Sequence, residues 1–61
     1  MNFVKLMHYG SVVVVNLDNV LWINFEDEDC ATIYFATERP ITVDKASREK
    51  LLRLVGTEQI L

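Results

Sequence analysis

From Phe3 to Val43 the chain runs in short β-branched and aromatic stretches separated by polar breaks, the punctuation of strands and turns. The first break is Gly10-Ser11, and glycine at the first central position suits a type II′ turn. That turn sets Tyr9 opposite Val12, Met7 opposite Val14 and Lys5 opposite Asn16. The other face then gathers Val4, Leu6 and His8 opposite Leu17, Val15 and Val13. The second break, Asn16 to Asn19, consists of residues that tolerate turns and bond their own backbone. The third is the acidic run Glu26-Asp27-Glu28-Asp29. Closing a hairpin there pairs Phe25 with Cys30, Ile23 with Thr32 and Leu21 with Tyr34 on one face. It pairs Trp22 with Ile33, Val20 with Phe35 and Asn24 with Ala31 on the other.

After Phe35 the pattern gives a loop, "ATERP", and a short strand, "ITV", and then its period changes. "DKASREKLLRLVG" reads as a helix, with Asp44 or Ser47 as N-cap, Gly56 at the position that follows a helix end, and an apolar stripe of Leu51, Leu54 and Val55 with Leu52 at its margin. The expected fold is mainly β within the α+β class, a four- to five-stranded antiparallel meander followed by one C-terminal helix. Strands are expected at about 3–9, 11–17, 20–26, 30–36 and 41–43 and the helix at about 45–55, in one small domain spanning 1–61.

A half-exposed antiparallel sheet alternates apolar and polar residues, but the hairpin from Val20 to Phe35 is apolar on both faces. One short helix covers one face only. Composition sharpens the point: 61 residues bury only roughly 60% of the unfolded surface, so small chains need a staple. A lone cysteine, Cys30, forms no intrachain disulfide, and one Cys with one His (His8) does not fill a zinc site. With 51% hydrophobic residues, the remaining staple is a second chain. The expectation is a homo-oligomer, a dimer by default because two-fold assemblies are commonest, with another protein as a further candidate partner. Val20, Leu21, Trp22, Ile23, Phe25, Ile33, Tyr34 and Phe35 are the interface candidates, one face meeting the helix and the other a second subunit.

Charge narrows the function classes. The net charge is −3; residues 1–31 hold one base, Lys5, against five acids, and residues 32–61 hold five bases against four acids. An acidic chain lacks the electrostatic footprint of a nucleic-acid binder. The bases Arg39, Lys45, Arg48, Lys50 and Arg53 form a candidate anion-binding surface, the feature on which an alternative reading as a small nucleic-acid-associated regulator rests. No stretch approaches the ~20 apolar residues of a membrane span. The N-terminal stretch lacks the layout of a signal peptide, which together with one free cysteine reads as cytoplasmic.

The candidate chemistry is sparse. A calcium loop needs a glycine-turned backbone and spaced oxygens, whereas the acidic run has no glycine and leads straight into a strand. Four carboxylates at one turn tip share the same solvent, so nothing separates their pKa values for acid–base work. His8 reads as a packed or edge residue and Cys30 as a small hydrophobe. Trp22, Tyr34, Tyr9 and Phe35 lack the basic groove of a base-stacking platform. No catalytic, metal-binding or cofactor-binding residue is expected.

The segments "YGSVVVVNLDNVLWI", "ATIYF" and "ITVDKASREKLLRLV" together resemble small bacterial flagellar accessory proteins of the FlbD/SwrD type and similar short phage or mobile-element proteins of unknown function. The likeness spans Leu6 to Val55 and lies in fold-keeping positions: a glycine turn, a strand ending at asparagine, a second apolar strand, a hairpin and a short helix. It differs at Leu17, where that group often has proline, and at Glu38-Arg39-Pro40, where it has glycine. The resemblance implies a non-enzymatic accessory protein and carries over no catalytic residue.

Overall fold

A computed structural model describes residues 2–55. Five strands and one helix follow in order: β1 (Phe3–His8), β2 (Ser11–Asn16), β3 (Val20–Asn24), β4 (Ala31–Phe35), β5 (Ile41–Val43) and α1 (Lys45–Val55), with a single 3₁₀ turn, Leu17–Asn19, between β2 and β3. The strands are antiparallel and the helix closes the chain, as the hydrophobic pattern predicts. The expected single meander is instead divided into two sheets, β1-β2 and β3-β4-β5, because the 3₁₀ turn separates β2 from β3 and the two do not pair. No helix of the described residues is long and apolar enough to cross a membrane.

The first hairpin keeps its predicted faces but not its register. His8 pairs with Ser11, Met7 with Val12, Lys5 with Val14 and Val4 with Val15, so the turn is Tyr9-Gly10 and not Gly10-Ser11. Both turn residues have positive φ, 48° and 90°, the type I′ geometry that matches strand twist. Nothing lies within 4 Å of a Cβ added at Gly10, so its dihedral and not crowding calls for glycine there. The strand end explains the shift. Asn16 caps the 3₁₀ turn, its side chain accepting from Asp18 N at 3.0 Å, and Leu17 N donates to Asn2 O at 2.7 Å, so Leu17 is no longer a ladder residue opposite Val4. A two-residue change in register preserves side-chain parity. Val4, Leu6 and Val15 therefore still face inward together.

The core lies between the inner faces of the two sheets and under the helix. Val4, Leu6 and Val15 come from β1-β2, Ala31, Ile33 and Val43 from β4-β5, and Leu51 from α1. The sheets meet along β1 and β5, where Asp44 N donates to Met7 O at 3.0 Å and His8 Nδ1 donates to the Thr42 carbonyl. A carbonyl only accepts, which assigns the His8 proton to Nδ1 and makes the histidine a packed edge residue.

Asp44 is the N-cap: its carboxylate accepts from Ser47 N at 2.9 Å and its carbonyl from Arg48 N at 2.9 Å. Ser47 has a different task, its buried hydroxyl accepting from Met7 N at 2.7 Å. The predicted apolar stripe is only partly used. Leu51 is fully buried, while Leu54 is 53% and Val55 36% exposed. The helix is held at its first turns by Asp44, Ser47 and Arg48, and farther along Leu54 lies in the wall of an open cleft beside the start of β1 instead of in the core. The Gly56 helix-end expectation and the terminal "TEQIL" fall outside the described residues.

Candidate functional site

The β3-β4 hairpin carries the interface candidates, and one irregularity sorts them. Val20 pairs with Phe35 as predicted, but the next pairs are Trp22 with Tyr34, Ile23 with Ile33 and Asn24 with Thr32, one residue off the expected register. The change lies between Val20 and Trp22, leaving Leu21 as a bulge residue without a cross-strand partner. Because one residue reverses the side-chain alternation, Leu21 and Trp22 both end on the outer face. They are 64% and 54% exposed. Val20, Ile23, Phe25, Ile33 and Phe35 turn inward against the core. The expected grouping of Trp22 with Ile33 and of Leu21 with Ile23 is therefore replaced: aromatic pairs with aromatic outside, isoleucine with isoleucine inside.

On the outer face the Trp22 and Tyr34 rings stack at 4.1 Å between centroids and 7° between planes. Such a pair is worth about 0.5–1.5 kcal/mol beyond its buried area and holds both side chains in one orientation. Leu21 adjoins them. The next row of the same face is polar, Asn24, Thr32 and Thr42, with the two threonine hydroxyls 3.3 Å apart. The surface is thus a small rigid apolar patch bordered by polar side chains.

The acidic run is a turn built from side-chain caps. Asn24 Oδ1 accepts from Glu26 N at 2.8 Å and Asp27 Oδ1 from Asp29 N at 2.8 Å, while all four acids stay exposed. Among the described residues no three His, Cys, Asp or Glu side chains converge to hold a metal. Half-buried Cys30 ends this turn; loss of hydration and the neighbouring Asp27 carboxylate push its thiol pKa up, Asp29 adds to this, and Arg48 opposes it.

The five bases are distributed around the molecule. Arg39 is exposed in the β4–β5 connection, and Lys45 and Arg53 are exposed on the helix. Arg48 and Lys50 flank the buried Ser47–Leu51 line and reach down to the sheets. Arg48 Nη2 donates to Phe25 O at 3.0 Å and its guanidinium lies 5.8 Å from the centre of the Phe25 ring, while Lys50 Nζ donates to Lys5 O at 3.1 Å. These two cations act as ties between helix and strands.

Among the described residues two clefts stand out on the surface. One of about 290 Å³ runs along β2 from Val13 to Asn16, opposite Phe35, Glu38 and Ile41. The other, about 490 Å³, lies between the start of β1 and the helix, with Lys5, Lys50, Leu17 and Leu54 in its wall. The site missed by sequence reasoning is the bulge, which no glycine or turn residue marks within "VLWI". Among known proteins, no family model, curated protein or solved structure matches this chain.

Proposed function

We propose that this chain is a non-catalytic interaction or accessory module that assembles with copies of itself, with Leu21, Trp22 and Tyr34 as its contact face. The observation that carries the reading is the outward placement of Leu21 and Trp22, with Trp22 stacked on Tyr34, in a chain too small to leave much apolar surface in water. Rigid aromatic side chains make efficient contacts because little side-chain freedom is lost on binding, and they are enriched in the cores of interfaces. The resemblance to small accessory proteins points the same way.

Light scattering over a dilution series, with circular dichroism on the same samples, tests it. The expected result is a mass that is a multiple of one chain at micromolar concentration, and Trp22→Ser lowers that mass without loss of strand signal. A folded monomer throughout the series overturns the proposal.

A further inference from the structure

Besides its faces, a sheet presents edges, and the two free edges here differ. Among the described residues β2 pairs only with β1 and β3 pairs only with β4. The β3 edge is interrupted by the Leu21 bulge, a common means of blunting an edge. β2 reads Ser-Val-Val-Val-Val-Asn: six residues with no charge, proline, glycine or bulge.

The backbone of β2 is also oriented for pairing. In β1, Met7 N donates to Ser47, Met7 O accepts from Asp44, and Lys5 O accepts from Lys50, so both residues turn backbone groups away from β2. Their opposite numbers in the register are Val12 and Val14. In an antiparallel ladder such positions are non-hydrogen-bonded pairs on both strands, so Val12 and Val14 turn their N–H and C=O groups to the free edge. The 290 Å³ cleft runs beside that edge, with Phe35 and Ile41 across it. Val12 and Val14, 62% and 61% exposed, and Phe3, 58% exposed, flank it on the outer face.

We infer that β2 pairs antiparallel with β2 of a second copy across a two-fold axis, joining two β1-β2 hairpins into one four-stranded sheet. The occupant follows from the edge chemistry. Unpaired main-chain groups in a row are satisfied by another extended backbone. A strand with no charge opposes no like charge when it meets itself, and the two-fold sets outward valines beside outward valines, while the inward Val13 and Val15 stay in the wall of the cleft and against the core. Edge hydrogen bonds alone bury little, and a stable interface needs roughly 800 Å² per partner; Phe3, Val12, Val14 and the cleft walls supply apolar area beside the seam. This contact is separate from the Leu21–Trp22–Tyr34 face and rests on the proposed function only in requiring self-association.

Backbone amide hydrogen exchange, read by NMR at a concentration where light scattering finds an oligomer and again after dilution, tests the seam. The expected result is that Val12 and Val14 amides exchange more than about tenfold slower in the concentrated sample. Val14→Pro removes an outward N–H without touching the β1 ladder and lowers the mass with the strand signal retained. If that variant unfolds, Val14→Lys keeps the backbone and lowers the mass by setting like charges near each other across the axis. An oligomer whose Val12 and Val14 amides exchange at the diluted rate overturns the β2 seam and leaves self-association standing. A monomer at every concentration overturns both.

Discussion

Ser47 stands at the third position of α1, where a serine adds little to helix propensity, yet it is 4% exposed and its hydroxyl serves the Met7 amide across the helix–hairpin boundary. Ser47→Ala leaves that amide without a partner, and urea unfolding is expected to show a loss of about 1–3 kcal/mol, the cost of an unsatisfied buried donor. The same alanine at Asp44, whose carboxylate accepts from Ser47 N, is expected to cost about 1 kcal/mol, the usual value of an N-cap. Cys30 gives a residue-scale dependence on pH. Its thiol pKa is raised from 9.0 in the folded chain, chiefly by desolvation and then by Asp27. The folded state therefore holds the thiol proton more firmly than the unfolded state, and as pH rises above 9.0 the unfolded chain loses it first, so stability falls. Since the thiolate is the nucleophile, iodoacetamide is expected to alkylate Cys30 more slowly in the native than in the denatured protein at pH 8, and Asp27→Asn speeds the native reaction.

At the scale of elements, both hairpins were legible from the breaks between apolar runs, and the helix from its cap and its change of period. Registers were less so. Tyr9-Gly10 and Gly10-Ser11 are both acceptable turns locally; the end of β2, held by the Asn16 cap and the Leu17–Asn2 hydrogen bond, selects between them. The bulge at Leu21 had no local mark at all, and it decides which of eight candidate apolar side chains face outward. The helix offers a test of this limit. By pattern Leu51 and Leu54 are equivalent stripe residues, yet one is 0% and the other 53% exposed. Leu51→Ala is expected to cost about 2–5 kcal/mol and Leu54→Ala under about 0.5 kcal/mol, measured as the shift in denaturant midpoint multiplied by the slope.

At the scale of the whole molecule, seven buried apolar residues among those described, contributed by both sheets and the helix, make one shared core. Its outer surface among the described residues still carries Phe3, Val12, Val14, Leu21 and Trp22 at more than half exposure. Self-association covers such surface and adds its binding free energy to folding, so stability becomes a function of concentration. The proposed assembly therefore has a thermodynamic signature beside its mass. The thermal midpoint of the native chain is expected to rise on concentration, and that rise shrinks for Trp22→Ser, as scanning calorimetry at two concentrations would read.

Alternation, turn residues and a helix cap sufficed to determine the antiparallel class, the element order, the helix start, and the reading of the acidic run as a turn. These are properties of neighbouring residues, and local sterics and hydrogen bonding settle them. Tertiary structure alone decided the bulge at Leu21, the stacking of Trp22 on Tyr34, the use of Arg48 and Lys50 as ties, and the division of the helix stripe into a buried and an exposed half. Each depends on where a distant segment ends or which carbonyl it leaves unpaired. A packed core accepts only the register that fills it, and that constraint is spread over the whole chain.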